Sequence, residues 1–489
     1  MEKNLLLKNA IYKFSLNILK IIIPILTFPY IYRVFSPEII GRVEFSHSIT
    51  SYFVIFAGFG VYNYGLREIS RIRSNEEERN KIFSQLLIIS IFSTLLTFIF
   101  YILYIFLEFK NNFILRNMLL INGINIFSQI IYTEWINEAF ENYKFISLKT
   151  IIIRILNLIC IFIFIKEKND YYKYLFFLNF FIFCNNFIGF LYIKKYIKFK
   201  LQKINLKKYL LPLSVVFLVS NINMLYTELD RILLGFYSQN IQEVAFYGIA
   251  QRVMSLLIVT VMSVISVTMP RLSFYLGENR KLEYESMINE IISFMYFMLF
   301  PISIGLIILS KEIVIFFGGE RYLPAQMVLI ISGIRIIFVT ISSLLSNNVI
   351  FLKRREKVML YILITGGVFN FFIKLLLIKI NFFNSTNAAF TTMLVEIFLI
   401  ILEYFYIKKY LKIDLNIFKL NFLKYLLFSF SFFIIKYIFR NLQISNILYS
   451  GIIFVCCAIV YIILLLLTKD KCLHKLLIKI NLKEKLKKY

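Results

Sequence analysis

About fourteen apolar stretches, each near 20 residues long, follow one another from Ile11 to Leu467 with short polar connections between them. The windows centre near residues 21, 53, 93, 126, 156, 183, 222, 258, 298, 337, 368, 396, 431 and 457. Lipid offers backbone N–H and C=O groups no water to bond, so each stretch has to satisfy its own as a helix. The expected fold is therefore all-α and integral to the membrane, with about 14 transmembrane helices.

Basic residues in the connections alternate sharply between the two sides. Assigned alternately from Met1, loop Lys and Arg sum to roughly 36 on the amino-terminal side and about 10 on the other. Both termini are expected in the cytoplasm. The richest segments are Lys194 to Lys208, Lys353 to Lys357 and the tail from Lys469 to Tyr489, whereas the loop from Tyr237 to Ala245 carries no basic residue. Orientation by positive charge also accounts for the net charge of +27, so no nucleic-acid partner is expected. The tail spaces Leu and Ile among lysines, which suits an interfacial helix on anionic lipid as well as a solvated tail. The amino terminus lacks a small-residue cleavage site and reads as a retained first span. Cys160, Cys184, Cys456 and Cys457 lie in apolar spans and Cys472 in the tail, with no disulfide framework or zinc spacing.

Several chemistries are excluded by what is missing. No phosphate-cradling G-x-x-x-x-G-K-[ST] loop is present, which removes ATP-driven transport by this chain alone. Outward loops of about 5 to 15 residues are mere connections and leave no room for a polymerase's catalytic domain. His47 in the second span and His474 in the tail are too far apart in depth to act together; His47 is either a coupling-proton carrier or a packed, hydrogen-bonded side chain. An enzyme is not expected.

Charge inside the spans is the informative chemistry. Lys13, Lys20, Arg116, Arg154, Arg231, Arg252, Arg335, Lys374 and Lys436 fall within apolar stretches, as do Glu44, Glu134, Glu138, Glu228, Asp230, Glu290, Glu396 and Glu403. Each cation costs ~2.5 to 3.5 kcal/mol at a lipid-facing helix centre, so most must snorkel, pair or face water. In the first span Lys13, Asn17, Lys20, Pro24 and Thr27 fall within about 80° on the helical wheel, a polar stripe suited to the wall of a wet cavity. In the seventh span Glu228 and Arg231 are spaced for an i,i+3 pair, while Asp230 points the other way.

A weak duplication supplies an architecture. FSPEIIGRVEFSHSI from Phe35 and YSQNIQEVAFYGIAQ from Tyr237 share an aromatic-Ser start and a later Val-x-Phe, about six spans apart and so in the same orientation. The expected organisation is a six-helix lobe at 1–195, a basic linker at 196–208, a second six-helix lobe at 209–407, two further transmembrane helices at 408–467 and a basic tail at 468–489. Transporters built from such repeats commonly rock one lobe against the other around a central site.

Three segments carry a family resemblance. PYIYRVFSPEIIGRVEFSHSITSYFVIFAGFGVYNYGLREISRIR from Pro29 resembles the amino-terminal signature of the polysaccharide biosynthesis flippases, the Wzx-type O-antigen exporters of the superfamily that includes multidrug and toxin extruders. EWINEAFENYK from Glu134 and YTELDRILLGFYSQNIQEVAFYGIAQRV from Tyr226 are similar to later segments of the same family. Ser36, Arg231 and Ala245 depart from the family pattern, in which Gly, Lys and Gly are usual, and leave the substrate's identity open. The resemblance implies translocation of an undecaprenyl-pyrophosphate-linked oligosaccharide by alternating access in a bacterial inner membrane. It implies lipid as surroundings, and a polysaccharide polymerase and chain-length regulator as partners. A pyrophosphate needs cations where water is scarce, which makes Lys20, Arg154, Arg252, Arg33 and Asn17 the candidate substrate-binding residues. Arg33 and Arg67 lie at span ends, where orientation of the helix explains them equally well. No cofactor is expected beyond a coupling ion, Na⁺ or H⁺, with Asp230, Glu228 and Glu396 as its candidate residues and Glu403 a further embedded acid. The alternative readings are a cation-coupled multidrug or metabolite exporter on the same fold, and a membrane polymerase.

Overall fold

A computed structural model describes residues 2–200, 205–417, 422–442, 444–470 and 472–474, without the side chains of 2–11, 13, 14, 17, 20, 21, 219, 222–227 and 264. The described residues are helical throughout and contain no strand. The first nine helices are α1 (Glu2–Val34), α2 (Pro37–Gly58), α3 (Val61–Arg71), α4 (Glu76–Glu108), α5 (Phe113–Phe127), α6 (Glu134–Ala139), α7 (Tyr143–Phe164), α8 (Tyr171–Ile193) and α9 (Lys207–Tyr237). The remainder are α10 (Gln242–Ser266), α11 (Met269–Gly277), α12 (Lys281–Ile308), α13 (Ser310–Gly318), α14 (Ala325–Leu344), α15 (Glu356–Lys379), α16 (Ser385–Tyr406), α17 (Leu423–Ile438) and α18 (Asn446–Leu467). Helix α14 runs on into a π-helical stretch, Leu345–Phe351, and α16 into another, Ile407–Leu411.

The centre of every apolar window found in the sequence falls inside one of these helices, and ten helices among the described residues are long and apolar enough to cross a membrane. The protein is a multi-pass membrane protein. Helix α4 is polar inward and apolar outward, the reverse of a helix in a water-soluble bundle. On α4, Asn80, Ser84, Gln85, Ser90, Thr94 and Thr97 are buried, while Phe92, Leu95, Leu96, Ile99, Phe100 and Leu103 are exposed. Amides and hydroxyls are costly against hydrocarbon and find partners only between helices.

By packing, the chain divides into two compact units, residues 1–245 and 246–489. In the first, α9 packs on α2 at very short range. A Cβ on Gly235 would lie 2.0 Å from the Phe45 ring, and one on Gly41 would lie 2.2 Å from the Ile241 carbonyl oxygen. The duplicated junctions have matching backbones: Ser36 (φ −71°, ψ 159°) opens α2 and Ser238 (φ −76°, ψ 155°) closes α9, both extended and both preceded by an aromatic residue. Ser36 also accepts the Ile39 amide, capping α2 ahead of Pro37. A buried amide chain crosses this unit: Asn179 Nδ2 donates to Asn122 Oδ1 at 2.8 Å, and Asn122 Nδ2 donates to Ser46 Oγ at 3.1 Å.

In the second unit α14 packs between α12 and α16, and α16 packs on α15. Helix α17 lies on α12, where the Tyr461 hydroxyl of α18 also donates to the Phe297 carbonyl at 2.8 Å. The start of the tail is tied to α17: Asp470 pairs with Lys424 and accepts the Tyr425 hydroxyl and the Cys472 and Leu473 amides. Burial opposes ionisation of Asp470, yet these donors hold its carboxyl below the ordinary range. The rest of the basic tail, 475–489, lies outside the described residues.

Candidate substrate and coupling sites

In the first unit α1 and α7 run side by side in the same direction. Ser147 donates to the Tyr12 carbonyl at 3.1 Å and Tyr30 donates to the Ile165 carbonyl at 2.5 Å, and both contacts join residues 135 apart in sequence. That constant offset puts Arg154 of α7 level with Leu19 of α1. Arg154 is half-buried in the middle of its helix and makes no ion pair among the described residues. Of the first-span stripe, Thr27 is buried, with its hydroxyl on the Ile23 carbonyl, and Pro24 is half-buried, while Ile18, Ile22, Ile25 and Leu26 on the same helix are exposed. The side chains of Lys13, Asn17 and Lys20 lie outside the described residues. Arg33 is exposed at the end of α1 and donates to the Pro29 carbonyl at 2.9 Å. Arg67 on α3 is exposed and pairs with Glu68.

The i,i+3 pair read from the seventh span is present on α9: Arg231 Nη1 lies 3.0 Å from Glu228 Oε2, which also accepts the Ser48 hydroxyl of α2 at 2.7 Å. Asp230 is buried on the same helix. Lys149 is a buried cation that the apolar-window reading passed over. Its ammonium sits 2.7 Å from Glu134 and 3.1 Å from the Asn185 carbonyl, so Glu134 neutralises a neighbour rather than facing a cavity. Its neighbour Trp135 is core, lying against Gly65. His47 is exposed on α2, its ring 3.4 Å from the Ser51 hydroxyl.

The second unit holds Arg252, half-buried on α10. Here Arg335 of α14 meets Glu396 of α16 at 3.2 Å with both side chains almost fully buried. Lys436 of α17 meets Glu312 of α13 at 3.1 Å. Lys374 of α15 is buried and donates to Thr392 of α16 at 3.0 Å. Glu403 of α16 accepts hydroxyls from Ser342 and Ser346. No group of three or more His, Cys, Asp or Glu suited to a metal ion occurs among the described residues.

Residues 6–276, more than half of the chain, match the model of the family described as polysaccharide biosynthesis protein. The chain belongs to that family. A second family, MatE, matches residues 216–376. Among curated relatives, a protein of Shigella dysenteriae named "Putative O-antigen transporter" is 24% identical over 366 residues, covering 74% of this chain and 90% of that protein. One of the same name from Escherichia coli K12 is 24% identical over 165 residues, covering 33% of this chain and 39% of that protein. The fold is that of the lipid II flippase MurJ in its inward closed conformation, with a TM-score of 0.74 at 18% identity, over 95% of this chain and 99% of that one. An inward-facing multidrug resistance MATE transporter gives a TM-score of 0.64 at 13% identity, over 81% and 97%. These relatives are named as transporters and a flippase, and none as an enzyme.

Proposed function

We propose that this family member is a flippase that moves an undecaprenyl-pyrophosphate-linked oligosaccharide between the leaflets of a bacterial inner membrane, by alternating access, for surface polysaccharide assembly. The carrying observation is Arg154. A guanidinium held half-buried in mid-helix without an acid partner among the described residues, level with Leu19 of α1, is a ready site for a diphosphate. Lys20, Asn17 and Arg33 are assigned to the same head group, the sugars to the wet cavity and the polyprenyl tail to lipid between helices; Arg252 is a further candidate substrate-binding residue. Relatives named as O-antigen transporters support this reading over drug export.

Both termini face the cytoplasm in this account, in keeping with the basic loops. Asp230, Glu228 and Glu396 are assigned to the coupling ion, Na⁺ or H⁺, and a polymerase and chain-length regulator act on the delivered unit. Deleting the gene in its host is expected to accumulate lipid-linked repeat units on the cytoplasmic side and to abolish surface polymer. Surface-exposed single repeats that fail to lengthen would instead mark a polymerase. Unchanged pools with altered drug sensitivity would mark an exporter of the multidrug type.

A further inference from the structure

Of the buried carboxyl groups described in the second unit, Glu312, Glu396 and Asp470 are in ion pairs and Glu403 is in none. Glu403 has 0% of its surface exposed. Its Oε1 accepts the Ser346 hydroxyl at 2.5 Å and the Ser342 hydroxyl at 3.1 Å, and its Oε2 has no hydrogen-bond partner among the described residues. Among the charged groups on the elements packed against α16, Lys357 and Lys379 of α15 are exposed and Glu356, at its first residue, is half-buried. Arg335 of α14 is on Glu396, seven residues before Glu403 on α16 itself. Lys374 of α15 donates to Thr392, and Lys408 and Lys409 of the following π-helical stretch are exposed. Two neutral hydroxyls do not compensate a full negative charge in an apolar interior.

A neutral acid fits these surroundings. As a carbonyl oxygen, Oε1 has two lone pairs, and the two hydroxyls fill both. The proton then sits on Oε2. Ser346 belongs to the π-helical stretch Leu345–Phe351, and α16 turns π-helical four residues past Glu403. Single π turns inside α-helices are sites where the ladder can re-register, and they recur at functional positions.

We propose that Glu403 is a proton-binding site, protonated in the arrangement seen here and deprotonated when the 345–351 stretch rearranges and water reaches Oε2. The step transfers H⁺ from the carboxylic acid to water, leaving a carboxylate and a hydronium ion. It makes H⁺ the coupling ion and so rests on the reading of the chain as an ion-coupled transporter.

Infrared difference spectroscopy of the purified full chain in lipid vesicles tests this without any lipid-linked sugar. The wild type is expected to show a protonated carboxylic C=O band at neutral pH that shifts in D₂O and is unchanged when K⁺ replaces Na⁺. Glu403→Gln should remove that band. Ser346→Ala should move it to higher frequency by taking a donor from the carbonyl, and it serves equally if the first variant does not fold. A wild type without the band, a band that survives in Glu403→Gln, one unmoved in Ser346→Ala, or one abolished by Na⁺ at constant pH would overturn the proposal. Because no substrate is present, failure here leaves the flippase reading standing, and failure of lipid translocation leaves the band.

Discussion

Both compact units pair buried cations with acids, Lys149 with Glu134 in the first and Arg335 with Glu396 in the second, and they differ in the charged group each holds outside such pairs. The first unit keeps a guanidinium, Arg154, in mid-helix without an acid partner among the described residues. The second gives Arg335 and Lys436 a carboxylate each and keeps an acid, Glu403, whose described partners are neutral hydroxyls. A site for an anionic head group needs an uncommitted cation, and a proton site needs an uncommitted acid. Arg154 and Glu403 are the two groups on which the head-group and proton-site proposals rest.

The strongest test of the paired side of this contrast is Arg335→Ala. It leaves Glu396 buried without its partner and is expected to cost ~3–5 kcal/mol, whereas Arg335→Met with Glu396→Leu should recover most of that loss. Thermal unfolding in detergent measures both, and equal destabilisation by the single and double variants would break the pairing argument. Arg154→Ala should spare folding and lower export roughly 10- to 100-fold, the equivalent of ~1.5–3 kcal/mol for hydrogen bonds to a charged group. Arg154→Lys should retain part of the activity, because it keeps the charge and loses the fork. Surface polymer from a complemented deletion strain is the readout.

A smaller effect sharpens the structural side of the comparison. Gly235→Ala drives a methyl into the Phe45 ring and is expected to cost ~1–3 kcal/mol of stability, with Phe45→Leu as a partial suppressor. The smallest concerns Asp170, ahead of α8. Its pairing with Lys173 and the amides of Glu167 and Lys166 lowers its pKa to about 2. A depressed pKa contributes stability above the ordinary carboxylate value that is lost as pH falls toward 2. Protection of the Lys166 and Glu167 amides from hydrogen exchange should fall over that window and be absent in Asp170→Ala.

Helix positions were legible because lipid enforces long apolar runs, and the centre of each window found in the sequence lies in a helix. The Glu228–Arg231 pair was legible as well, since a helix brings i and i+3 together. Pairs between helices have no such spacing. Lys149 with Glu134, Arg335 with Glu396 and Lys436 with Glu312 are set by which helices pack, which periodicity does not encode. One signal for Lys149 was present all the same: it lies five residues before Arg154 in a helix of otherwise apolar composition, with Glu134 just upstream. The π-helical stretches that hold Ser346 and follow Glu403 left no mark in the hydropathy pattern, because a π turn changes the hydrogen-bond register and not the composition.

The most direct measurement is translocation by the purified chain in vesicles loaded with a fluorescent polyprenyl-pyrophosphate oligosaccharide, read as the fraction accessible to an impermeant quencher. The account predicts that the wild type exchanges the labelled lipid between leaflets and that Arg154→Ala, equally folded, exchanges it roughly 10- to 100-fold more slowly. Equal rates for wild type and Arg154→Ala would contradict the assignment of the head-group site. A wild type no faster than empty vesicles would contradict the flippase itself.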